Sequence, residues 1–178
     1  MRLCNKAIIW INGAFGIGKT TVAQKLQKRL PNSLIFDPEE VGFMLRSILK
    51  PIDWSGNFQD YPMWRILVPE VARLLEQDYH RTLIVPMSIC RSDYFSEVID
   101  NMKKFDQDFH HFCLVASVET IQQRLTARGQ SGTEDWAMSQ IDECVRSLHS
   151  ELFVDKLDAE TKSPDQLVEQ ILKKIKVS

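Results

Sequence analysis

Residues 7–20 read AIIWINGAFGIGKT, and this stretch constrains the fold more than any other in the chain. Ala7 to Ile11 is an unbroken apolar run of strand length, the pattern of a parallel strand buried on both faces. Directly after it, Gly13-Ala14-Phe15-Gly16-Ile17-Gly18-Lys19-Thr20 brackets four residues with glycines and follows them with Lys and Thr, the phosphate-loop pattern. Glycines let the backbone curl with its N–H groups turned inward around phosphate oxygens, and the following helix adds the positive end of its dipole. Lys19 is spaced to reach the β- and γ-phosphates of a nucleotide, and the Thr20 hydroxyl to take a place on Mg²⁺. The helix itself reads from Lys19 to Leu30, turning Val22, Ala23, Leu26 and Leu30 inward until Pro31 and Asn32 stop it.

Short apolar runs then alternate with helix-period segments to the end of the chain, which implies a parallel sheet with crossover helices. Strands are expected at 33–36, 82–85 and 109–116, with a short fifth one at 152–157. Val41, Met44, Leu45, Ile48 and Leu49 repeat on one helical face, as do Leu67, Val71, Leu74 and Leu75, where Pro69 marks either a kink or the true start. Helices are also expected from Ser92 or Asp93, from a Ser117 cap to Gly129, through Ala137, Ile141, Cys144, Val145 and Leu148, and from Pro164 onward. The expected architecture is a three-layer α/β phosphate-loop NTPase fold, its five-stranded parallel sheet ordered 2-3-1-4-5, with a small helical lid over about 124–140. A chain of 178 residues fits one such domain, 1–178.

With 22 Lys and Arg against 24 Asp and Glu, the net charge of -2 argues against a broad nucleic-acid-binding surface. The apolar run near the N-terminus is too short for a secretion signal, and nothing approaches a membrane span, so a cytoplasmic protein is expected. Cys4, Cys90, Cys113 and Cys144 lie far apart with no zinc-type spacing, and read as reduced thiols serving mostly as small core residues.

No strand ends in the apolar run plus Asp that holds Mg²⁺ in motor ATPases, and no guanine-reading Asn-Lys-any-Asp occurs. A small-molecule kinase needs instead an acceptor-site carboxylate and arginines converging on the transferred phosphate. Asp37, at the end of the second strand, is on the rim where ligands bind in doubly wound folds. Yet Asp37-Pro38-Glu39-Glu40 is also a strong helix start, with cap, proline and first-turn acids. Arg124 and Arg128, four apart on one helical face, suit a lid beside the nucleotide, or a solvated basic face with Glu119 and Glu134 as partners. Arg46, and Arg65 beside Trp64, are weaker candidates for binding substrate. His110 and His111 point to opposite faces of a strand and read as structural. The loop 51–62 is long and aromatic, and Trp54, Phe58, Tyr61 and Trp64 suit either a satellite core or a ligand-stacking surface.

The ordered set WINGAFGIGKT (10–20), DPEEVGFMLRSIL (37–49), FQDYPMWR (58–65), LIVPMSI (83–89) and WAMSQIDECV (136–145) resembles the tunicamycin-resistance family of ATP-binding proteins over nearly the whole chain. The resemblance implies a nucleoside-kinase-like fold, ATP with Mg²⁺, and protection against an amphiphilic nucleoside antibiotic. Carried over, the phosphate-binding positions fall on Gly13 to Thr20, the lid region on Arg124 and Arg128, and the second ligand on Asp37, Arg46 and Arg65. Longer members continue into a further C-terminal amphipathic segment, and this sequence stops at Ser178.

The expected reaction is transfer of the γ-phosphoryl group of ATP to a hydroxyl of a small molecule, with Lys19 and the lid arginines stabilising charge and Asp37 positioning the acceptor. The rivals are a protein that closes on the drug and sequesters it without chemistry, and a kinase for an ordinary metabolite. Neither the acceptor nor the oligomeric state is legible.

Overall fold

The computed structural model describes residues 6–53, 55–127, 129 and 136–175, the side chains of 136–139 excepted. Strands β1 (Ile8–Gly13), β2 (Ser33–Ile35), β3 (Thr82–Pro86), β4 (Phe109–Val115) and β5 (Lys156–Asp158) form a five-stranded parallel sheet. Its order is β2-β3-β1-β4-β5, as the sequence leads one to expect. Every residue of β1 is buried, which is why its sequence carries no polar alternation.

Seven helices connect or follow the strands among the described residues: α1 (Lys19–Arg29), α2 (Pro38–Leu49), α3 (Pro62–Tyr79), α4 (Ser92–Lys103), α5 (Val118–Ala127), α6 (Trp136–Leu148) and α7 (Pro164–Ile175). The path from β1 to β2 runs one way across the sheet and the later paths run the other. Right-handed crossovers therefore put α1 on one face and α3 and α4 on the opposite one. α7 packs beside α1, and α3 beside α4. The first pair is also joined by exposed ion pairs, Lys25–Asp165 at 2.8 Å and Arg29–Glu169, each contributing at most about 1 kcal/mol. The apolar faces carry more, with Val22, Ala23 and Leu26 of α1 and Leu167, Val168, Ile171 and Leu172 of α7 all buried.

Several expectations are corrected. β1 continues two residues past Ile11, because Asn12 and Gly13 still pair with Cys113 and Leu114. β5 begins only at Lys156, since Leu152 and Val154 are exposed and Phe153 alone turns inward against Phe95. α3 starts at Pro62 and runs on through Pro69, its buried stripe of Trp64, Val68 and Ala72 offsetting the hydrogen bond that a proline omits. Trp64, a candidate for binding substrate, is wholly buried and its indole N–H donates to the Pro38 carbonyl at 3.0 Å, as a core residue does. Phe58 and Tyr61 are buried with it, so this end of the aromatic loop is satellite core; Trp54 lies outside the described residues. Gly42 lets α2 approach the Phe58 ring, where a Cβ would stand 2.5 Å from ring atoms.

The cysteines also differ from expectation. Cys90 and Cys144, 54 residues apart, are joined in a disulfide with Cα atoms 5.0 Å apart, a proximity that spacing along the chain hides. Cys113 is free and buried, and Cys4 lies outside the described residues. Among the described residues no helix is long and apolar enough to cross a membrane.

Candidate functional site

The C-terminal ends of β1 and β3 build the centre of the site through buried hydrogen bonds. Asn12 is wholly buried; its Oδ1 accepts from the N–H groups of Gly13 at 2.8 Å and Ile89 at 3.0 Å, while its Nδ2 donates to the Ile89 carbonyl at 3.0 Å. The Ser88 hydroxyl donates to the Gly13 carbonyl at 2.8 Å. The loop thus leaves β1 with its first turn fixed to the segment after β3.

Gly16, at φ 78, holds a left-handed conformation, and a Cβ there would also lie 2.6 Å from the Leu125 side chain, so any other residue at this turn of the loop would be strained. Gly18 precedes α1 without a side-chain cap, which leaves the first N–H groups of the helix for a ligand. Lys19 Nζ donates to the carbonyls of Gly13 and Ala14, both at 3.0 Å, and so lies across the loop. The chain around it supplies a cation, the uncapped N-terminus of α1 and, at Thr20, an exposed residue with a hydroxyl on the first turn of that helix. That donor set fits a polyphosphate with Mg²⁺ on the Thr20 hydroxyl and on phosphate oxygens.

Asp37 caps α2, its Oδ1 accepting from the Glu39 N–H at 3.0 Å. Burial pushes the Glu39 carboxyl above its ordinary range and the Asp37 carboxylate adds to this, while Lys19 opposes it. Lys19, Asp37 and Glu39 therefore share one electrostatic neighbourhood. Arg124 donates to the Ile17 carbonyl at 3.2 Å and to the Ala159 carbonyl at 2.8 Å, tying α5 to the phosphate loop and to the turn after β5. Arg128 lies outside the described residues.

The remaining candidates sit elsewhere. Arg46 lies over the Phe58 ring at 5.3 Å and donates to the Gly56 carbonyl at 3.3 Å. Arg65 pairs with Glu97 and donates to the Gln59 carbonyl, both at 2.6 Å. Its guanidinium stacks on Tyr94 at 4.2 Å, and Arg91 covers the same ring at 4.0 Å.

A cavity of about 340 Å³ adjoins the phosphate loop, with Phe15 in its wall. Gln59, Ser88 and Arg91 line it from the sheet side, and Gln140, Glu143 and the Cys90–Cys144 disulfide close it on the α6 side. Its size suits a small molecule, and its mixed donors and acceptors suit a polar, hydroxyl-bearing one. Gln59 Nε2 donates to the Ser88 carbonyl at 2.7 Å, and Arg65 holds Gln59 from behind. Asp37, Arg46, Trp64 and Arg65 do not line the cavity. Sequence reasoning missed Glu39, Gln59, Ser88 and Arg91 as site residues; the segment after β3 lies on the ligand-binding rim of the sheet, which was the available signal.

The fold is that of a phosphate-loop NTPase, and residues 9–152 match the family described as the AAA domain. The tunicamycin resistance protein of Deinococcus radiodurans is similar at 32% identity over 96% of this chain and 95% of that one, with a TM-score of 0.81. The chain belongs to the tunicamycin-resistance family of AAA-domain proteins. A gluconokinase from Sinorhizobium meliloti shares the fold at 14% identity, covering 98% of this chain and 94% of that one, with a TM-score of 0.69. Shikimate kinase from Acinetobacter baumannii, in complex with shikimate, shares it at 14% identity over 96% and 93%, with a TM-score of 0.63. No curated protein matches the sequence.

Proposed function

We propose that the protein is an ATP-dependent phosphotransferase acting on a hydroxyl of a nucleoside-type small molecule, with tunicamycin among its acceptors. The observation that carries this reading is the phosphate loop opening, at Phe15, on a polar cavity of about 340 Å³. The loop binds the nucleotide, and the cavity binds the acceptor beside it. The tunicamycin-resistance relative supplies the acceptor class.

In the proposed reaction the acceptor oxygen bonds to the γ-phosphorus, the bond to the β–γ bridging oxygen breaks, and the acceptor proton passes to a carboxylate. Asp37 or Glu39, which stand beside Lys19 outside the cavity wall, takes that proton from an acceptor hydroxyl that reaches past Phe15 to the phosphate loop; Glu39, held above the ordinary carboxyl range by burial, is the better matched base. Lys19 swings from the loop carbonyls to the phosphates, and Arg124 stabilises the migrating charge. Thr20 would hold Mg²⁺, which would supply neutralisation of charge on the phosphates. The protein works in the cytoplasm, where ATP is supplied, as one domain over 1–178.

Incubation with γ-labelled ATP, Mg²⁺ and tunicamycin tests the proposal. Labelled tunicamycin is expected; unlabelled drug, with both ligands bound, sinks transfer to this acceptor. The sequestering alternative is favoured by the capping bond that already engages Asp37. Asp37→Asn together with Glu39→Gln separates the two readings. A kinase loses turnover by 10²-fold or more with its affinities retained, whereas a sequestering protein loses only about 1 kcal/mol of cap stability.

A further inference from the structure

The Cys90–Cys144 bond lies in the wall of the cavity that adjoins the phosphate loop. Cys90 ends the segment that follows β3, directly before Arg91, and is half-buried; Cys144 lies on α6 and is 2% exposed. Gln140, Glu143, Cys144 and Ser147, spaced at one helical face, form the α6 wall of the cavity, and the Ser147 hydroxyl donates to the Cys90 carbonyl. The segment on the other side is anchored by hydrogen bonds between the Asn12 side chain and the Ile89 backbone and from Gln59 to the Ser88 carbonyl. The disulfide therefore fastens a helix to an anchored wall across the edge of a ligand cavity.

We propose that Cys90 and Cys144 are a reversible thiol–disulfide pair that sets the order of α6, and through it the width of the cavity. That the cavity holds the acceptor and that the compartment is a reducing one rest on the function proposed above; the thiol–disulfide exchange and the ordering of α6 are read without phosphoryl transfer. A permanent disulfide is out of place in a compartment kept reducing by glutathione, where such bonds are transient or redox-sensing. The reactant is a low-molecular-weight disulfide such as oxidised glutathione. The Cys90 thiolate, reached through the cavity, attacks one sulfur and releases one glutathione thiolate. The Cys144 thiolate then attacks the mixed disulfide at Cys90 Sγ and releases the second. Two protein thiols become one disulfide, their two protons leave with the two glutathione thiolates, and the two electrons pass to the oxidised glutathione. Cys113 stays outside this chemistry, because burial keeps its thiol protonated, with its pKa pushed up to about 12.

The test equilibrates the full chain with reduced and oxidised glutathione at stepped ratios, quenches by alkylation, and digests with trypsin. Cys90 falls in the peptide 82–91 and Cys144 in the peptide 129–146, so the linked pair is read directly by mass. The linked fraction is expected to pass from below about one tenth to above nine tenths across the ratios used. Amide hydrogen exchange in residues 140–148 is expected to slow at least tenfold on linkage, with α1 unchanged. Cys90→Ser, at the half-buried position, and Cys144→Ala should each fold with an α1 exchanging as in the parent and an α6 indifferent to glutathione. A pair that stays linked at every ratio, one that never links, or an α6 that exchanges equally fast in both states overturns the proposal. These readouts need no phosphoryl transfer, so failure of the proposed reaction would leave them standing.

Discussion

His111 is 9% exposed, held between the rings of Phe95 at 4.7 Å and Phe153 at 6.0 Å. Burial lowers its pKa from 6.5 to about 4. A base whose folded pKa is depressed takes up its proton in the unfolded chain first, so stability falls as pH drops from 6.5 towards 4 and is constant above that window. The loss attributable to this residue reaches about 3 kcal/mol. Unfolding in urea at pH 7 and pH 4.5 should show a drop for the native chain that is smaller by about 2 to 3 kcal/mol in His111→Phe; equal drops would refute the assignment. That His110 and His111 face opposite ways follows from strand alternation alone, and His110 indeed pairs with Asp108 at 2.9 Å away from these rings. Which histidine is buried was not legible, because it depends on Phe95 and Phe153 arriving from distant elements. Trp64 is a similar case: a tryptophan beside an arginine fits a ligand platform and a core equally well until the Pro38 carbonyl meets its indole N–H.

Among the elements, α2 shows how a local signal and a distant contact combine. Its start at Asp37-Pro38-Glu39-Glu40 was fully legible, since capping, proline geometry and the dipole all act within one turn. The need for glycine at 42 was not, because it arises from the Phe58 ring, 16 residues on. Gly42→Ala should cost about 1 to 3 kcal/mol through overpacking, and Phe58→Leu added to it should recover part of that loss. Urea midpoints for the two variants decide it, and a fully additive pair would show that the ring is not the obstacle. β5 was legible as an element but not in its bounds, since Phe153 is apolar for a reason unrelated to pairing: it packs on Phe95 instead of extending the sheet.

For the whole molecule, the sheet order was legible because alternation and right-handed crossovers leave few topologies. The cavity was not, since its walls come from the phosphate loop, the turn at 57–59, the segment after β3 and α6, which only the fold assembles. Binding to the folded state alone should stabilise the molecule. Mg²⁺–ATP at a hundred times its Kd adds about 2.7 kcal/mol, or roughly 5 to 10 °C in Tm for a chain of this size. Lys19→Ala should abolish that shift in thermal unfolding, and an unchanged shift would remove Lys19 from the phosphate site. The Asn12 carboxamide gives the assembled site one further property. Both the loop that would carry the phosphate donor and the segment that would face the acceptor are gauged from the same side chain, at 2.8 and 3.0 Å. Their separation is thus set by the sheet, and a movement of α6 would leave unaltered the span that a phosphoryl group would cross in the proposed reaction.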